Sequence, residues 1–239
     1  MKIALTQPNF IPWLGYFDLL DTVDCWISYD NTQVVKRSSI VRNKILSASN
    51  NLSWLTASLK KHSLKDQINK VELADITWHI SNSNKIRNYY RKAKFFNDYI
   101  DEIVDILKPR ETLLSLYNKR IIDALSSLIG IKYDSIEASS LVANISGDRE
   151  DKILHIIEKL QPAEYYNFKK GVEMGFYSKK AFNKKGIALY KQDYIHPEYK
   201  QHHNIAFIPY LSIIDLIFNE GANSLEIIRE GRNWIQITS

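Results

Sequence analysis

The chain has 239 residues, of which 45% are hydrophobic and 25% are charged, with only 8 Gly and 6 Pro. This length and composition suit one folded domain with a full core, and they exclude disordered, collagen-like and low-complexity classes. The formal net charge of +5 is spread over several segments, so we expect a small anionic ligand such as a nucleotide or a nucleotide sugar, and no duplex nucleic acid.

The N-terminal apolar run is short, because Pro8 and Asn9 interrupt it before it reaches the length of a signal peptide. No run approaches the roughly 18 apolar residues of a membrane span. The single cysteine, Cys25, allows no intramolecular disulfide and fits a reducing compartment, so we expect the cytoplasm. Cys25 lies between Asp24 and Trp26 in an apolar strand, which favours core packing over a nucleophilic role.

The first two predicted strands, Lys2 to Leu5 and Cys25 to Tyr29, flank a helical stretch from Trp13 to Val23. A parallel pair needs a crossover of about this length, so the pattern predicts a βαβ unit. Gln7 and Asp30 then lie just beyond the carboxyl ends of two neighbouring strands.

A hairpin and a long helix are predicted next. The extended segments Val41 to Ser47 and Leu52 to Leu59 are joined by the turn signal Ser49-Asn50-Asn51. Apolar positions from Ile86 to Leu107 recur every three or four residues, which predicts one long helix that ends at Pro109. Residues 40–108 are therefore interpreted as a hairpin-plus-helix insertion within a single α/β domain, 1–239.

The second half continues the alternation of helices and strands. The predicted elements are a helix from Leu113 to a Gly130 cap, a strand from Lys132 to Ala138, a helix from the capping box Asp148-Arg-Glu-Asp151 to Pro162, a strand from Glu164 to Asn167, a helix from Lys179 to Lys185, a strand from Ile187 to Gln192, and a helix after Ser212. This order predicts a mainly parallel sheet flanked by helices, with its ligand crevice outside the carboxyl ends of the strands.

Several well-known site motifs are absent from the sequence, including G-x-G-x-x-G, the P-loop, G-x-S-x-G, H-E-x-x-H and C-x-x-C. His196-Pro-Glu198 is similar to one element of the zinc deaminases, but the partner P-C-x-x-C is missing. We therefore expect no metal site and no tightly bound cofactor.

The segment from Gln7 to Asn43 is the predicted site. Its first loop, Gln7 to Tyr16, contains two prolines, three aromatic residues and a glycine, a composition typical of a rigid pocket wall, although such aromatics can also simply cover a sheet edge. Asp30 is a candidate acid–base group at the second strand end, and His79 is a candidate general base before the long helix, where an isolated histidine can also be structural. Basic residues that follow Asp30 suit phosphate oxygens, or form an ordinary solvated surface.

The remaining candidates are substrate-binding residues. They are Gln7, Asn9, Trp13, Tyr16, Asn31, Gln33, Lys36, Arg42, Asn43, Lys85, Tyr90, Ser212 and Asp215. Ser212-Ile-Ile-Asp215 also fits a capping box at a helix start, where anions can bind as well.

The N-terminal motifs resemble the WbqC-like protein family. They are Gln7-Pro8, Pro12-Trp-Leu-Gly-Tyr-Phe17, Val23-Asp24, Tyr29-Asp30, Gln33, Lys36-Arg37 and Arg42-Asn43, and they are joined by Phe207 to Asp215 and Phe218-Asn219 near the C-terminus. The family is known from bacterial gene clusters for O-antigen and other surface polysaccharides, often beside amino-sugar genes. The resemblance implies N-acyl or aminoacyl transfer to the amine of a nucleotide-linked aminodeoxy sugar, with a coenzyme A thioester, a carrier protein or an aminoacyl-tRNA as donor.

For that reaction, the resemblance and the residue types suggest particular roles. Gln7, Gln33 and Asn43 would orient the substrate or contact the oxyanion, Trp13 and Tyr16 would stack on base or sugar, and Lys36 and Arg42 would hold phosphate.

A second likeness concerns the fold. Pro12-Trp-Leu-Gly-Tyr16 occupies the place of the H-x-G-H loop of nucleotidylyltransferase-like proteins, with both histidines replaced. This implies a related Rossmann-like fold without that family's adenylyl-transfer machinery. An ATP-dependent ligase or nucleotidylyltransferase and a noncatalytic carbohydrate-binding protein are the alternative functions.

Overall fold

The computed structural model describes residues 1–49, 51–142, 149–202 and 206–237. Its strands, in chain order, are β1 (Lys2–Thr6), β2 (Cys25–Ser28), β3 (Arg42–Leu46), β4 (Leu52–Thr56), β5 (Asp134–Glu137), β6 (Glu164–Phe168), β7 (Ala188–Gln192) and β8 (Trp234–Gln236). Strands β3 and β4 form a separate antiparallel hairpin, and the other six form one sheet in the order β5-β2-β1-β6-β7-β8.

The helices of the described residues pack on this sheet, on the hairpin or on one another. They are α1 (Leu14–Thr22), α2 (Thr77–Tyr90), α3 (Phe96–Ile106), α4 (Leu114–Leu128), α5 (Ala138–Leu141), α6 (Arg149–Ile157), α7 (Lys169–Glu173), α8 (Lys179–Lys184), α9 (Ile213–Glu220) and α10 (Ser224–Glu230), with short 3-10 segments at Ile68–Lys70, Glu158–Leu160 and Gly221–Asn223. In the part of the chain that the structure describes, no helix combines the length and apolarity required to cross a bilayer.

The topology of the sheet reverses at β1. Ala4 of β1 pairs in parallel with Trp26 of β2 on one side and with Tyr166 of β6 on the other. The chain first builds outward from β1 through β2 to β5, and then returns to add β6, β7 and the antiparallel β8 on the opposite side. This is the doubly wound strand order, in which ligands bind beyond the strand ends where the direction of winding changes. The predicted mainly parallel sheet flanked by helices is confirmed.

Alternation along β1 gives the sheet two apolar faces. Ile3 and Leu5 are buried in a core with residues of α6 and α8. Ala4 belongs to a larger core that contains α1, α4 and α9, as well as the hairpin. Because successive side chains of a strand point to opposite faces, a short apolar strand buried on both sides can hold two helical layers.

The predicted long helix from Ile86 to Leu107 is wrong. Helix α2 begins earlier, at Thr77, and ends at Tyr90, and a new helix, α3, begins at Phe96. The break lets Tyr90 and Phe96 both pack on Phe218 of α9, with ring centroids 4.9 and 5.8 Å away. The backbone N–H of Phe95 also donates to the carbonyl of Phe218 at 2.9 Å. Tertiary packing therefore overrides a periodicity that could have continued.

The predicted capping box at Ser212 is also wrong. The Ser212 side chain makes no cap hydrogen bond to α9, and its hydroxyl has no partner among the described residues. The Asp215 carboxylate turns away from the helix start because it accepts hydrogen bonds from two tyrosines. Asn50 of the predicted turn and Asp148 of the other predicted capping box lie outside the described residues.

Candidate functional site

A cleft of about 600 Å³ lies beyond the carboxyl ends of β1 and β6, at the topological switch point. We call it the switch-point cleft. Its polar and charged lining residues include Gln7, Asn9, Thr32, Gln33, Ser39, Arg149, Asn167 and Lys170. The position follows from the strand order, because residues after neighbouring parallel strands meet at one edge of the sheet.

The described lining of the switch-point cleft carries positive charge. It includes Arg149 and Lys170 and no Asp or Glu. Neither cation forms an ion pair within the described part of the chain, and Arg149 rests on the ring of Phe176, 4.0 Å from its centroid. The electrostatics therefore favour an anionic ligand, and Arg in particular can bind phosphate through two parallel hydrogen bonds.

Hydrogen bonds hold the floor of this cleft. The amide of Gln7 donates to the Thr32 hydroxyl at 2.8 Å, which ties the loop after β1 to the loop after β2. Asn167, at the end of β6, donates to the Leu5 carbonyl at 3.0 Å and so joins β6 to β1. Fixed amides at these positions form a rigid polar surface.

A second cleft, of about 550 Å³, lies beyond the ends of β2 and β5, and we call it the β2–β5 cleft. It is lined by Asp30, Asn31, Gln67, Asn69, Lys70, Leu113, Ser115, Leu116, Glu137, Ser139 and Ser140. Tyr29, Thr32 and Gln33 line the switch-point cleft, while Asp30 and Asn31 line this one. The two clefts therefore flank the same segment, residues 29–33.

Asp30 is anchored in the wall of the β2–β5 cleft and is only 2% exposed. Its Oδ1 accepts from the Ser139 backbone N–H at 2.9 Å, and its Oδ2 accepts from the Ser139 hydroxyl at 2.5 Å. Oδ2 also accepts from the Asn69 amide at 3.2 Å. The carboxylate thus joins the loop after β2 to the start of α5 and to the 3-10 segment, so its position is fixed by three donors.

Other polar groups of the β2–β5 cleft lack partners among the described residues. Asn31 Oδ1, Asn69 Oδ1 and the hydroxyl of Ser115 are buried without a hydrogen bond. Ser115 itself is 2% exposed. Buried polar atoms usually have a partner, so such atoms in a cleft wall call for an explanation.

Four predicted substrate-binding residues are buried and bind other parts of the protein. The hydroxyl of Tyr16 donates to the Gln7 carbonyl at 2.9 Å and so stabilises the loop after β1. Tyr90 donates to Oδ1 of Asp215 at 2.9 Å, and burial raises the pKa of the Asp215 carboxyl. Ser212 is fully buried at the start of α9. The ligand contacts predicted for these residues stay predictions, and the contacts in the structure are internal.

The basic residues predicted to bind substrate lie on and around the β3–β4 hairpin. Arg42 lies over the ring of Trp54, 4.0 Å from its centroid, and Lys85 donates to the Trp54 carbonyl at 3.1 Å. Lys36 is exposed. Asn43 donates to the Ile11 carbonyl at 2.7 Å, which fixes the loop after β1 to the hairpin. None of these four lines either cleft.

Trp13 and His79 also lie outside the linings of the two clefts. Trp13 stacks on His196 with ring centroids 6.2 Å apart. His79 is 7% exposed in the first turn of α2, where burial lowers the pKa of its imidazole below the usual value of 6.5. Asp30 and His79 are therefore not brought together in these clefts.

Sequence reasoning missed the cations of the switch-point cleft and much of the β2–β5 lining. Arg149 and Lys170 belong to α6 and α7, more than a hundred residues after Gln7. Lys170 follows β6 closely, so the rule that ligands meet strand ends pointed to it once β6 was known to lie beside β1. Glu137 likewise ends β5, a strand that the sequence did predict.

Comparison with known proteins places the chain in a family. The sequence profile described as the WbqC-like protein family matches residues 7–227. An uncharacterized protein of Mycobacterium tuberculosis (strain ATCC 25618 / H37Rv), Rv1507c, is 29% identical over 231 residues, which cover 95% of this chain and 97% of the relative. No solved structure matches the chain significantly.

Proposed function

The chain belongs to the WbqC-like protein family, and from that premise we propose that it is an enzyme of bacterial surface polysaccharide biosynthesis that acylates or aminoacylates a nucleotide-linked aminodeoxy sugar. One observation carries the proposal. The switch-point cleft has two cations that form no ion pair with another described residue, and its described lining contains no carboxylate, which suits the negative charge of a nucleotide diphosphate. Neutral amides of Gln7, Asn9 and Gln33 in the same cleft suit the hydroxyl and base groups of a nucleotide.

The reaction joins the amine nitrogen of the sugar to the carbonyl carbon of the acyl donor. The new C–N bond forms as the C–S bond of a thioester, or the C–O bond of an aminoacyl ester, breaks, and the proton lost by nitrogen ends on the departing thiol or hydroxyl. Asp30, which lines the cleft on the other side of residues 29–33, is the proposed proton acceptor. His79, the other acid–base candidate, lines neither cleft.

Binding of nucleotides tests the proposal. Arg149→Gln and Lys170→Gln each remove one positive charge and keep a long side chain, so each should weaken binding of UDP or dTDP by about tenfold, measured by isothermal titration calorimetry. Lys180→Gln is the matched control, because Lys180 is exposed on α8 and lines neither cleft. Equal affinities for all variants, or no binding of either nucleotide by the unmodified protein, would contradict the proposal.

Mass spectrometry tests the transfer step. Nucleotide-linked amino sugars incubated with acyl-coenzyme A, acylated carrier protein or aminoacyl-tRNA should gain the mass of one acyl or aminoacyl group. Tight nucleotide binding without a heavier product would instead support the carbohydrate-binding alternative, and ATP consumption with product formation would support the ligase.

A further inference from the structure

The β2–β5 cleft contains groups that a ligand could satisfy. The amide oxygens of Asn31 and Asn69 and the hydroxyl of Ser115 have no partner among the described residues. An amide oxygen only accepts hydrogen bonds, so two of these three atoms need a donor. Leaving a buried acceptor unpaired is unfavourable, and a donor that enters the cleft would remove this penalty.

The charges of this cleft also favour a ligand that donates hydrogen bonds. Glu137 is half-buried, and its carboxylate makes no hydrogen bond or ion pair with another described residue. The Asp30 carboxylate adds a second negative charge, although its oxygens already accept from Ser139 and Asn69. Lys70, at the exposed rim, is the single cation of the described lining, so the cleft carries a formal charge of −1 from two carboxylates and one ammonium.

A ligand that carries hydrogen-bond donors and a positive charge matches both features. A protonated primary amine has three donors and no acceptor, which suits two amide oxygens and a carboxylate. We propose that the β2–β5 cleft binds an ammonium group of the ligand through Glu137, with Asn31 and Asn69 as further acceptors. The identification of this ammonium as the amine of the acceptor sugar rests on the proposed function.

The arrangement of the two clefts is compatible with one extended ligand. Neighbouring strands of a sheet lie about 4.8 Å apart, so the end of β5 is about two such spacings, roughly 10 Å, from the end of β1. Phosphates in the positive switch-point cleft would then leave the sugar amine on the other side of residues 29–33. The opposite charges of the two clefts would fix the direction in which such a ligand lies.

The test compares ligands that differ in the amine alone. UDP- or dTDP-linked 2-amino, 3-amino and 4-amino sugars are each titrated against the corresponding hydroxyl sugar, at a pH at which the amine is protonated. At least one amine should bind more tightly than its hydroxyl counterpart. Glu137→Gln should weaken binding of that amino sugar by about tenfold and leave the affinity for UDP or dTDP alone unchanged. Glu102→Gln, at an exposed position of α3 outside both linings, should change neither affinity.

A second variant keeps the inference testable if Glu137→Gln does not fold. Asn31→Asp adds a carboxylate to the same wall, so it should increase the preference for the amine. No preference for any amine in the unmodified protein, or a preference that survives Glu137→Gln and is not raised by Asn31→Asp, would overturn the inference. If UDP and dTDP fail to bind at all, the proposed function falls separately, and the ammonium site is then decided by NMR titration with the free amino sugars and their hydroxyl counterparts.

Discussion

Asp30, the proposed proton acceptor, has a structural role in the fold. Its side chain accepts hydrogen bonds from Ser139 and Asn69, which belong to segments 109 and 39 residues away in sequence. The same carboxylate lines the β2–β5 cleft. A carboxylate held by donors from two other segments has a fixed position, and its removal leaves those donors without a partner.

Asp30→Ala should therefore destabilise the fold, in addition to lowering any activity that depends on this carboxylate. Loss of a buried acceptor that serves two residues should lower the free energy of unfolding by about 2–4 kcal/mol, as measured by urea denaturation monitored by circular dichroism. Asp66→Ala is a suitable control, because Asp66 accepts from one backbone N–H on a partly exposed turn. If Asp30→Ala unfolds at the same urea concentration as the unmodified protein, the anchoring role is contradicted.

The break between α2 and α3 shows how an element boundary depends on a distant helix. Phe95, in the break, donates its N–H to Phe218 of α9, and its ring lies against Gly221 at the end of that helix. Gly221 has a φ of +54°, and a Cβ there would lie 2.8 Å from the Phe95 ring. A glycine is needed for both reasons, since it tolerates the left-handed region and leaves space for the ring.

Gly221→Ala should destabilise the protein by about 1–3 kcal/mol, through backbone strain and displacement of Phe95. Thermal unfolding followed by differential scanning calorimetry measures the effect. Gly175→Ala is the matched control, because Gly175 also has a positive φ, +73°, but a Cβ there would meet nothing within 4 Å. Equal losses for the two variants would show that contact with Phe95 contributes nothing.

At the scale of the whole molecule, the order of the strands brings the two clefts to one edge of the sheet. The switch-point cleft uses β1 and β6, and the β2–β5 cleft uses the neighbouring pair, so residues 29–33 separate them. Two histidines elsewhere, the buried His79 and the partly buried His196, link the stability of the fold to pH. Burial lowers the pKa of both His79 and His196, and Nε2 of His196 lies 3.1 Å from the Tyr210 N–H, from which it accepts a hydrogen bond only when neutral.

Stability should fall as the pH drops below about 6.5, the ordinary pKa of histidine. In that range the unfolded chain binds protons at these two residues while the folded protein does not, so the free energy of unfolding decreases until the lowered folded-state pKa is reached. Urea unfolding at a series of pH values should give a steeper dependence for the unmodified protein than for His79→Gln.

The comparison with His79→Gln removes the contribution of groups whose protonation has the opposite effect on stability. Burial raises the pKa of Asp18 and Asp215, so their protonation favours the folded state as the pH falls. These carboxyl groups are present in both proteins. Parallel stability curves for the two proteins would contradict a lowered pKa of His79.

The sequence by itself determined the local part of this structure. Alternating and continuous apolar runs identified β1, α1 and β2, and so put Gln7 and Asp30 beyond two strand ends, where the clefts lie. The turn-rich segment between two β-prone runs likewise gave the β3–β4 hairpin. Such patterns can be read because they repeat within a few residues, with the period of the element itself.

Only the tertiary structure decided which segments meet. It places β6 beside β1 and so adds Arg149 and Lys170 to the switch-point cleft, and it joins Tyr90 to Asp215 across 125 residues. It also ends the helical pattern at Tyr90, where Tyr90 and Phe96 pack on Phe218 from the two sides of the break. A periodic pattern specifies which face of an element is buried but not what covers it, so the partners of a face, and the site they form, depend on the path of the whole chain.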